Sequence, residues 1–231
     1  MKSTAIEIQS RLYPCHAILF DLDGTLVDTS RDLWLSLQSA LEHHDIPPIT
    51  SDVFFQTLHH GIEKSVDLIL EIQKANPRLL DPVVIYYKNQ YQQLEHQHTT
   101  LYEGVTDLLD QCRTYGLKLG ICTNKERHPS IDVLRKLNIE HYFDVVLGLD
   151  QVTRPKPAPD PVLQAFEMMR LPTSLGVFVG DSPLDAYASR AANVPFILHQ
   201  VGFGAADVSP LLVDSCFHSY SELRISLFQN G

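Results

Sequence analysis

Residues 17–25 read AILFDLDGT, four apolar residues followed by two carboxylates one position apart. The apolar run predicts a buried β-strand, and because strand side chains alternate faces, Asp21 and Asp23 point the same way as the strand ends. Gly24 then permits a sharp turn. Two carboxylates about 4 Å apart repel each other by about 4 kcal/mol at an effective dielectric constant near 20, a large share of a domain's stability. The sequence therefore predicts a cation at this turn.

The composition is that of a globular chain of one or two domains. Of 231 residues, 44% are hydrophobic and 20% are charged, which suffices for a sizeable core. The formal net charge of −10 argues against nucleic acid and against an anionic membrane surface as partners. An anionic substrate must therefore meet a local positive site.

Cysteine usage and hydropathy indicate the compartment. The four cysteines form no CxxC pair, so the sequence spells out neither a zinc site nor a redox motif, and we expect them to stay reduced. The first 14 residues contain no continuous apolar run and carry Glu7, and no later segment approaches the roughly 20 apolar residues of a membrane span. We expect a cytoplasmic protein.

Helical periodicity dominates residues 31–99. Leu33, Leu37 and Leu41 repeat at a spacing of four, with Ser30 predicted as the N-cap. Further helices are predicted over residues 53–58 and 62–72, and after Asp81 and Pro82 as N-cap and N1 residue. The histidine pairs in this segment match no zinc spacing, so we expect them at the solvated surface.

From residue 102 onward helices and strands alternate. Strands are predicted at residues 117–122, 143–147, 177–179 and 196–198, and helices at residues 102–115, 131–137, 161–170, 185–192 and after Ser219. This order is typical of a parallel sheet with helices on both faces. The predicted fold is therefore a doubly wound α/β core, residues 1–30 and 100–231, with an all-helical insertion, residues 31–99, after the first strand.

Polar residues follow the other predicted strands at the same edge of the sheet, where ligands bind in such folds. They are Thr123, Asn124, Lys125, Asp181 and Asp185, joined by Lys156 from the proline-rich loop RPKPAPD. Carboxylates without histidine or thiolate favour a hard ion, and Mg²⁺ is usual where phosphate is also bound. Mg²⁺ would screen the repulsion among Asp21, Asp23 and Asp181.

Four motifs in this order carry a family resemblance. DLDGTLVDT, CTNK, RPKPAPDP and VGDSPLDA resemble the motifs of the haloacid dehalogenase superfamily, and more narrowly its phosphoglycolate phosphatase-like branch. The resemblance covers essentially the whole chain, and the insertion is similar to that family's small helical cap. Asn193 departs from the usual glycine, but asparagine tolerates the left-handed conformation.

The resemblance implies a role for each matching residue. Asp21 would be the nucleophile that forms an aspartyl-phosphate, and Asp23 would be first the general acid and then the base. Mg²⁺ would bind Asp21, Asp181 and the Asp23 backbone carbonyl. The remaining implied contacts are those of Thr123, Asn124 and Lys156 with substrate, and of Asp185 with metal-bound water.

The resemblance implies a Mg²⁺-dependent phosphatase acting on a small phosphorylated metabolite, with phosphoglycolate a candidate. Lys64, three residues after Gly61, lies where related caps often present a cation to the substrate. Three alternatives stay open: a phosphosugar mutase, a carbon–phosphorus hydrolase and a catalytically silent interaction module. Carbon–phosphorus hydrolases of this family generally lack an acid at the position of Asp23. Its presence here favours ester hydrolysis, because an oxygen leaving group needs a proton. Nothing in the sequence specifies an oligomeric state, and a monomer is compatible with it.

Overall fold

A computed structural model describes residues 5–8 and 11–228 of the chain, with side chains described from residue 15. The described strands are β1 (Ala5–Ile8), β2 (Arg11–Pro14), β3 (Ala17–Phe20), β4 (Val27–Asp28), β5 (Thr100–Leu101), β6 (Lys118–Cys122), β7 (Val145–Leu147), β8 (Gly176–Gly180), β9 (Phe196–His199) and β10 (Ser215–Phe217).

Nine α-helices lie within the described residues. They are α1 (Ser30–His43), α2 (Ser51–Leu58), α3 (Ile62–Ile72), α4 (Leu80–Gln93), α5 (Val105–Thr114), α6 (Arg127–Lys136), α7 (Asp160–Met168), α8 (Pro183–Ala191) and α9 (Tyr220–Phe228). None of these helices has the length and apolar character that crossing a lipid bilayer requires.

The chain divides into two compact units, one of residues 1–27 and 101–231 and one of residues 28–100. The first unit contains a six-stranded sheet in the order β10-β9-β8-β3-β6-β7. Every pairing in this sheet is parallel, and β3 lies between β8 and β6. In register, Phe20 faces Val179 on one side and Ile121 on the other. The strands therefore end together at one edge.

Helices cover both faces of the sheet, as the sequence predicted. Ile18 and Phe20 of β3 belong to one hydrophobic cluster together with residues of α5, α6 and α9. Ala17 and Leu19 belong to another, together with residues of α7 and α8. All four residues are fully buried, as expected for an uninterrupted apolar strand whose two faces are both covered. The doubly wound α/β class is confirmed.

The unit of residues 28–100 is helical and has its own core. Leu37, Val66 and Val83 come from three of its helices and belong to one buried cluster. The buried Asp32 carboxylate accepts hydrogen bonds from the His98 backbone N–H at 3.1 Å and from the Thr99 hydroxyl at 2.7 Å. Asp32 thus joins the two ends of this segment.

The start of α1 differs from the sequence prediction. Ser30 is the first residue of the helix rather than its N-cap, and its backbone N–H donates to the Asp28 carboxylate at 2.9 Å. The aspartate two residues earlier competes successfully for the helix N-terminus, because a carboxylate is the stronger acceptor there.

Two further local predictions need correction. A 3₁₀ turn over Pro77–Leu79, which the Asn76 side chain caps, leads directly into α4, so Asp81 lies inside the helix rather than before it. His96 is buried beside the Tyr91 ring instead of solvated. Asn193 adopts a left-handed φ of 54°, as its position after a helix predicted.

Candidate active site

Three neighbouring strands of the parallel sheet end at functional side chains. Asp21, Thr123 and Asp181 directly follow β3, β6 and β8. Their backbones continue the sheet contacts: the N–H of Asp21 donates to Val179 O at 2.9 Å, and that of Thr123 donates to Leu147 O at 3.0 Å. The sheet edge therefore places these side chains at fixed positions.

The turn after β3 packs against the Asp181 carboxylate. Gly24 has φ of +83°, and a Cβ there would overlap Asp181. The Thr25 hydroxyl donates to Asp181 Oδ1 at 2.7 Å, and the backbone N–H of Gly204 donates to Oδ2 at 3.3 Å. Only glycine combines this φ with this close approach. The turn and Asp181 thus hold each other in place.

Lys156 lies between two aspartates. Its Nζ is 2.8 Å from Asp21 Oδ1 and 2.6 Å from Asp185 Oδ1. Burial alone lowers the pKa of Lys156, but the attraction of Asp185 and Asp21 raises it overall, so the ammonium stays charged. The Asn124 amide donates to the Lys156 carbonyl at 2.8 Å and accepts from its N–H at 3.1 Å. Asn124 therefore fixes the backbone that carries the lysine.

Asp185 is occupied at both oxygens. Oδ2 accepts from the Ser182 hydroxyl at 2.6 Å and from the Ser182 backbone N–H at 3.0 Å, while Oδ1 contacts Lys156. The Ser182 hydroxyl in turn accepts from the Asp185 N–H, which completes a capping box at the start of α8. Asp185 thus connects the helix start with Lys156.

Three carboxylates form a compact acidic group. Asp21, Asp181 and Asp185 each offer an oxygen, and these oxygens lie within 4.8 Å of one another. Burial, and then the charge of Asp185 against the opposing effect of Lys156, raises the pKa of Asp21 to about 7. Burial and the charges of Asp185 and Asp21 raise that of Asp181 as well. A cation at this position would relieve both shifts, so the group has the donors and the charge to bind a metal ion.

Asp23 has a lysine of its own, which the sequence did not predict. Lys125 Nζ lies 3.0 Å from Asp23 Oδ1 and 3.2 Å from Oδ2. The two carboxylates of the DLD motif are therefore offset by different lysines, Asp21 by Lys156 and Asp23 by Lys125. The position of Lys125, directly after Thr123 and Asn124 at a strand end, was the available signal.

The sequence reasoning missed His199, the last residue of β9. It is buried, stacks on Phe217, and its Nδ1 lies 2.9 Å from the Gly24 carbonyl oxygen. A carbonyl only accepts, so Nδ1 carries the proton and donates. The hydroxyl of Tyr220 donates to Thr25 O at 2.6 Å. Two buried donors thus anchor the turn that follows Asp23.

Lys64 belongs to the helical unit and not to this group. It lies on α3, and its Nζ forms an ion pair of 2.7 Å with Asp67, three residues later. Both side chains are about half exposed. Its predicted contact with substrate stays a prediction.

The buried aspartates and the buried lysine lie at the carboxyl edge of a doubly wound parallel sheet, which is where such sheets bind their ligands. The chain belongs to the haloacid dehalogenase-like hydrolases, since the model of that family matches residues 18–199.

Individual relatives narrow the assignment. A phosphoglycolate phosphatase from Chromobacterium violaceum is 31% identical over 218 residues, which cover 93% of this chain and 97% of the relative. This chain is thus a phosphoric monoester hydrolase of the phosphoglycolate phosphatase-like branch.

Two solved structures share the fold. A predicted phosphoglycolate phosphatase from Haemophilus somnus superposes with a TM-score of 0.83 at 24% identity, covering 90% of this chain and 96% of that one. CbbY from Rhodobacter sphaeroides, in complex with phosphate, gives 0.78 at 21% identity, with 90% and 96% covered. At these identities the likeness supports the fold.

Proposed function

We propose that this phosphatase hydrolyses a small phosphorylated metabolite of the phosphoglycolate type, that it requires Mg²⁺, and that Asp21 forms an aspartyl-phosphate. The observation that carries the proposal is the position of Asp21, a buried carboxylate at a strand end, 2.8 Å from the Lys156 ammonium and grouped with Asp181. The curated phosphoglycolate phosphatase relative supports the substrate class.

The residues fit a divalent cation. Among the described residues, Lys156 pairs with Asp21 and Asp185 and Lys125 pairs with Asp23, so four aspartates stand against these two ammonium groups. Asp21, Asp181 and the Asp23 backbone carbonyl would hold the ion, as the family resemblance implies, and Asp185 would lie beside it, held by Lys156 and Ser182. Bound there, Mg²⁺ would reduce the repulsion between the aspartates and an incoming phosphate and polarise a phosphoryl oxygen.

The reaction has two halves in this proposal. A carboxylate oxygen of Asp21 attacks phosphorus while the ester bond breaks, and Asp23 gives a proton to the departing oxygen. Asp23 then takes a proton from water, which attacks the aspartyl-phosphate and releases inorganic phosphate. Lys156 and Thr123 contact the transferring phosphoryl oxygens, where charge accumulates. Asn124 serves this step by fixing the Lys156 backbone.

The experiment measures phosphate release from phosphoglycolate, from an aryl phosphate and from a panel of sugar phosphates. We expect Asp21→Asn to abolish turnover of every substrate and Asp107→Asn, on the exposed side of α5, to leave it unchanged. Chelation should remove wild-type activity, and Mg²⁺ should restore it. Substantial turnover by Asp21→Asn, or full activity in excess chelator, contradicts the proposal.

A second measurement looks for the covalent intermediate. In Asp23→Asn the base that activates water is missing, so phosphoryl groups from an activated aryl ester should accumulate on the protein, and Asp21→Asn/Asp23→Asn should take up none. Conversion of a sugar phosphate to its isomer, without net phosphate release, would instead identify a mutase.

A further inference from the structure

The ion pair between Lys125 and Asp23 lies at the rim of the acidic group. The Lys125 side chain is 12% exposed and that of Asp23 is 22% exposed, whereas that of Lys156 is 2% exposed. Solvent, and therefore a ligand, can reach the Lys125 side chain.

The backbone holds Lys125 firmly at this place. Its N–H donates to Thr123 Oγ1 at 3.1 Å, and its carbonyl accepts from the Leu149 N–H at 3.1 Å. The four-carbon stem of the side chain starts from this fixed point and leaves the ammonium freedom to move between neighbouring acceptors. Lys125 is thus a positioned cation on a flexible arm, in contact with the proposed proton donor.

The geometry also sets where a substrate would meet this cation. The leaving oxygen must come within hydrogen-bond distance of the Asp23 carboxyl group, and Lys125 Nζ lies 3.0 Å and 3.2 Å from the same carboxyl oxygens. Two consecutive hydrogen bonds span at most about 6 Å, so the ammonium lies within that distance of the leaving oxygen. A charged group on the adjacent carbon of the alcohol falls inside this range.

We propose that Lys125 binds an anionic substituent on the leaving alcohol and so selects phosphomonoesters that carry a second negative charge next to the ester oxygen. The inference deepens the proposed function and rests on it. A carboxylate and a second phosphate share the required chemistry. A charged hydrogen bond contributes about 1.5–3 kcal/mol, which corresponds to about 10- to 150-fold in specificity.

The test compares phosphoglycolate with its amide, phosphoglycolamide, which has the same size and lacks the second charge. Wild type should prefer the carboxylate by about 10- to 150-fold in kcat/KM. Lys125→Met should lose most of this preference, chiefly through a higher KM for phosphoglycolate, and Lys125→Arg should retain part of it. Lys136→Met, exposed near the end of α6, is the matched control. A bisphosphate in place of phosphoglycolate tells whether a second phosphate serves equally well.

Binding supplies a readout that does not need turnover. Calorimetry on Asp21→Asn should give tighter binding of phosphoglycolate than of the amide, and Lys125→Met in the same background should remove the difference. If Lys125→Met lowers kcat/KM equally for phosphoglycolate and for the amide, the inference is overturned and Lys125 acts only through Asp23. Absence of phosphate release from every ester by wild type would instead refute the proposed function.

Discussion

Lys156 and Asp185 form an ion pair of 2.6 Å in which neither side chain reaches solvent, with 2% and 0% of their surfaces exposed. Taking two charges out of water costs several kcal/mol per ion, and their attraction repays this only when both partners are present. Lys156 therefore stabilises the folded chain by neutralising buried carboxylates, in addition to its proposed contact with phosphate.

Lys156→Met should lower the free energy of unfolding by about 3–5 kcal/mol, because it leaves Asp185 and Asp21 buried and unpaired. Urea unfolding of the metal-free protein measures this loss, and Lys156→Met/Asp185→Asn should recover part of it. Lys136→Met should change the free energy by less than about 0.5 kcal/mol. Equal unfolding midpoints for wild type and Lys156→Met would contradict the expectation.

The metal-free protein should lose stability as the pH rises from about 4 to about 7. Burial raises the pKa of Asp21 from its ordinary 3.8 to about 7, so in this window the folded chain holds a proton that the unfolded chain releases. The contribution of Asp21 falls by at most about 4 kcal/mol, at roughly 1.4 kcal/mol per pKa unit.

Asp21→Asn should lose the part of this dependence that Asp21 contributes, since the amide has no proton to lose, while Asp181 keeps its own contribution. Urea unfolding in chelator between about pH 5 and pH 8 should show the variant gaining on wild type as the pH rises. Mg²⁺ should flatten the wild-type curve. Parallel curves for the two proteins would mean that Asp21 is not destabilised by its surroundings.

Gly24→Ala and Gly116→Ala separate backbone strain from the close approach to Asp181. Both glycines have positive φ, +83° and +76°, but only at Gly24 would a Cβ overlap the Asp181 carboxylate, and nothing lies within 4 Å of the site at Gly116. Gly116→Ala should cost about 1 kcal/mol and keep its activity. Gly24→Ala should lose activity and Mg²⁺ affinity, seen in the Mg²⁺ dependence of the melting temperature. Equal Mg²⁺ responses in the two variants would refute the role of the approach.

Patterns of whole segments made the fold predictable. Residues 17–20 are apolar without interruption, which identified the central strand, and alternating elements from residue 102 identified the parallel sheet. The common location of the polar residues after these strands was predictable as well, because the carboxyl ends of parallel strands lie at one edge of the sheet. β10 (Ser215–Phe217) was missed since its three residues carry no usable pattern.

Contacts between distant side chains were not predictable in the same way. The ammonium of Lys125 reaches Asp23 across 102 positions of sequence, and nothing in the local pattern distinguishes this partner from others at the sheet edge. His199 lies at the end of a strand and reads as an ordinary terminal residue. Its ring stacks on Phe217 and lies at steeper angles against Tyr102 and Tyr220, and only the folded chain brings these side chains together.

His199 provides the last prediction, because its hydrogen bond holds the turn that carries Asp23. Burial lowers the pKa of His199, against the opposing effect of the Gly24 carbonyl, so the imidazole is neutral and donates through Nδ1. His199→Phe keeps a ring against Phe217 but leaves that carbonyl without this donor, which costs about 1–3 kcal/mol. His199→Asn places an amide N–H near the position of Nδ1. We therefore expect His199→Phe to reduce kcat and weaken Mg²⁺ binding measured by calorimetry, and His199→Asn to restore both despite losing the aromatic stack. If His199→Phe instead proves the more active variant, the ring stack rather than the hydrogen bond positions the turn.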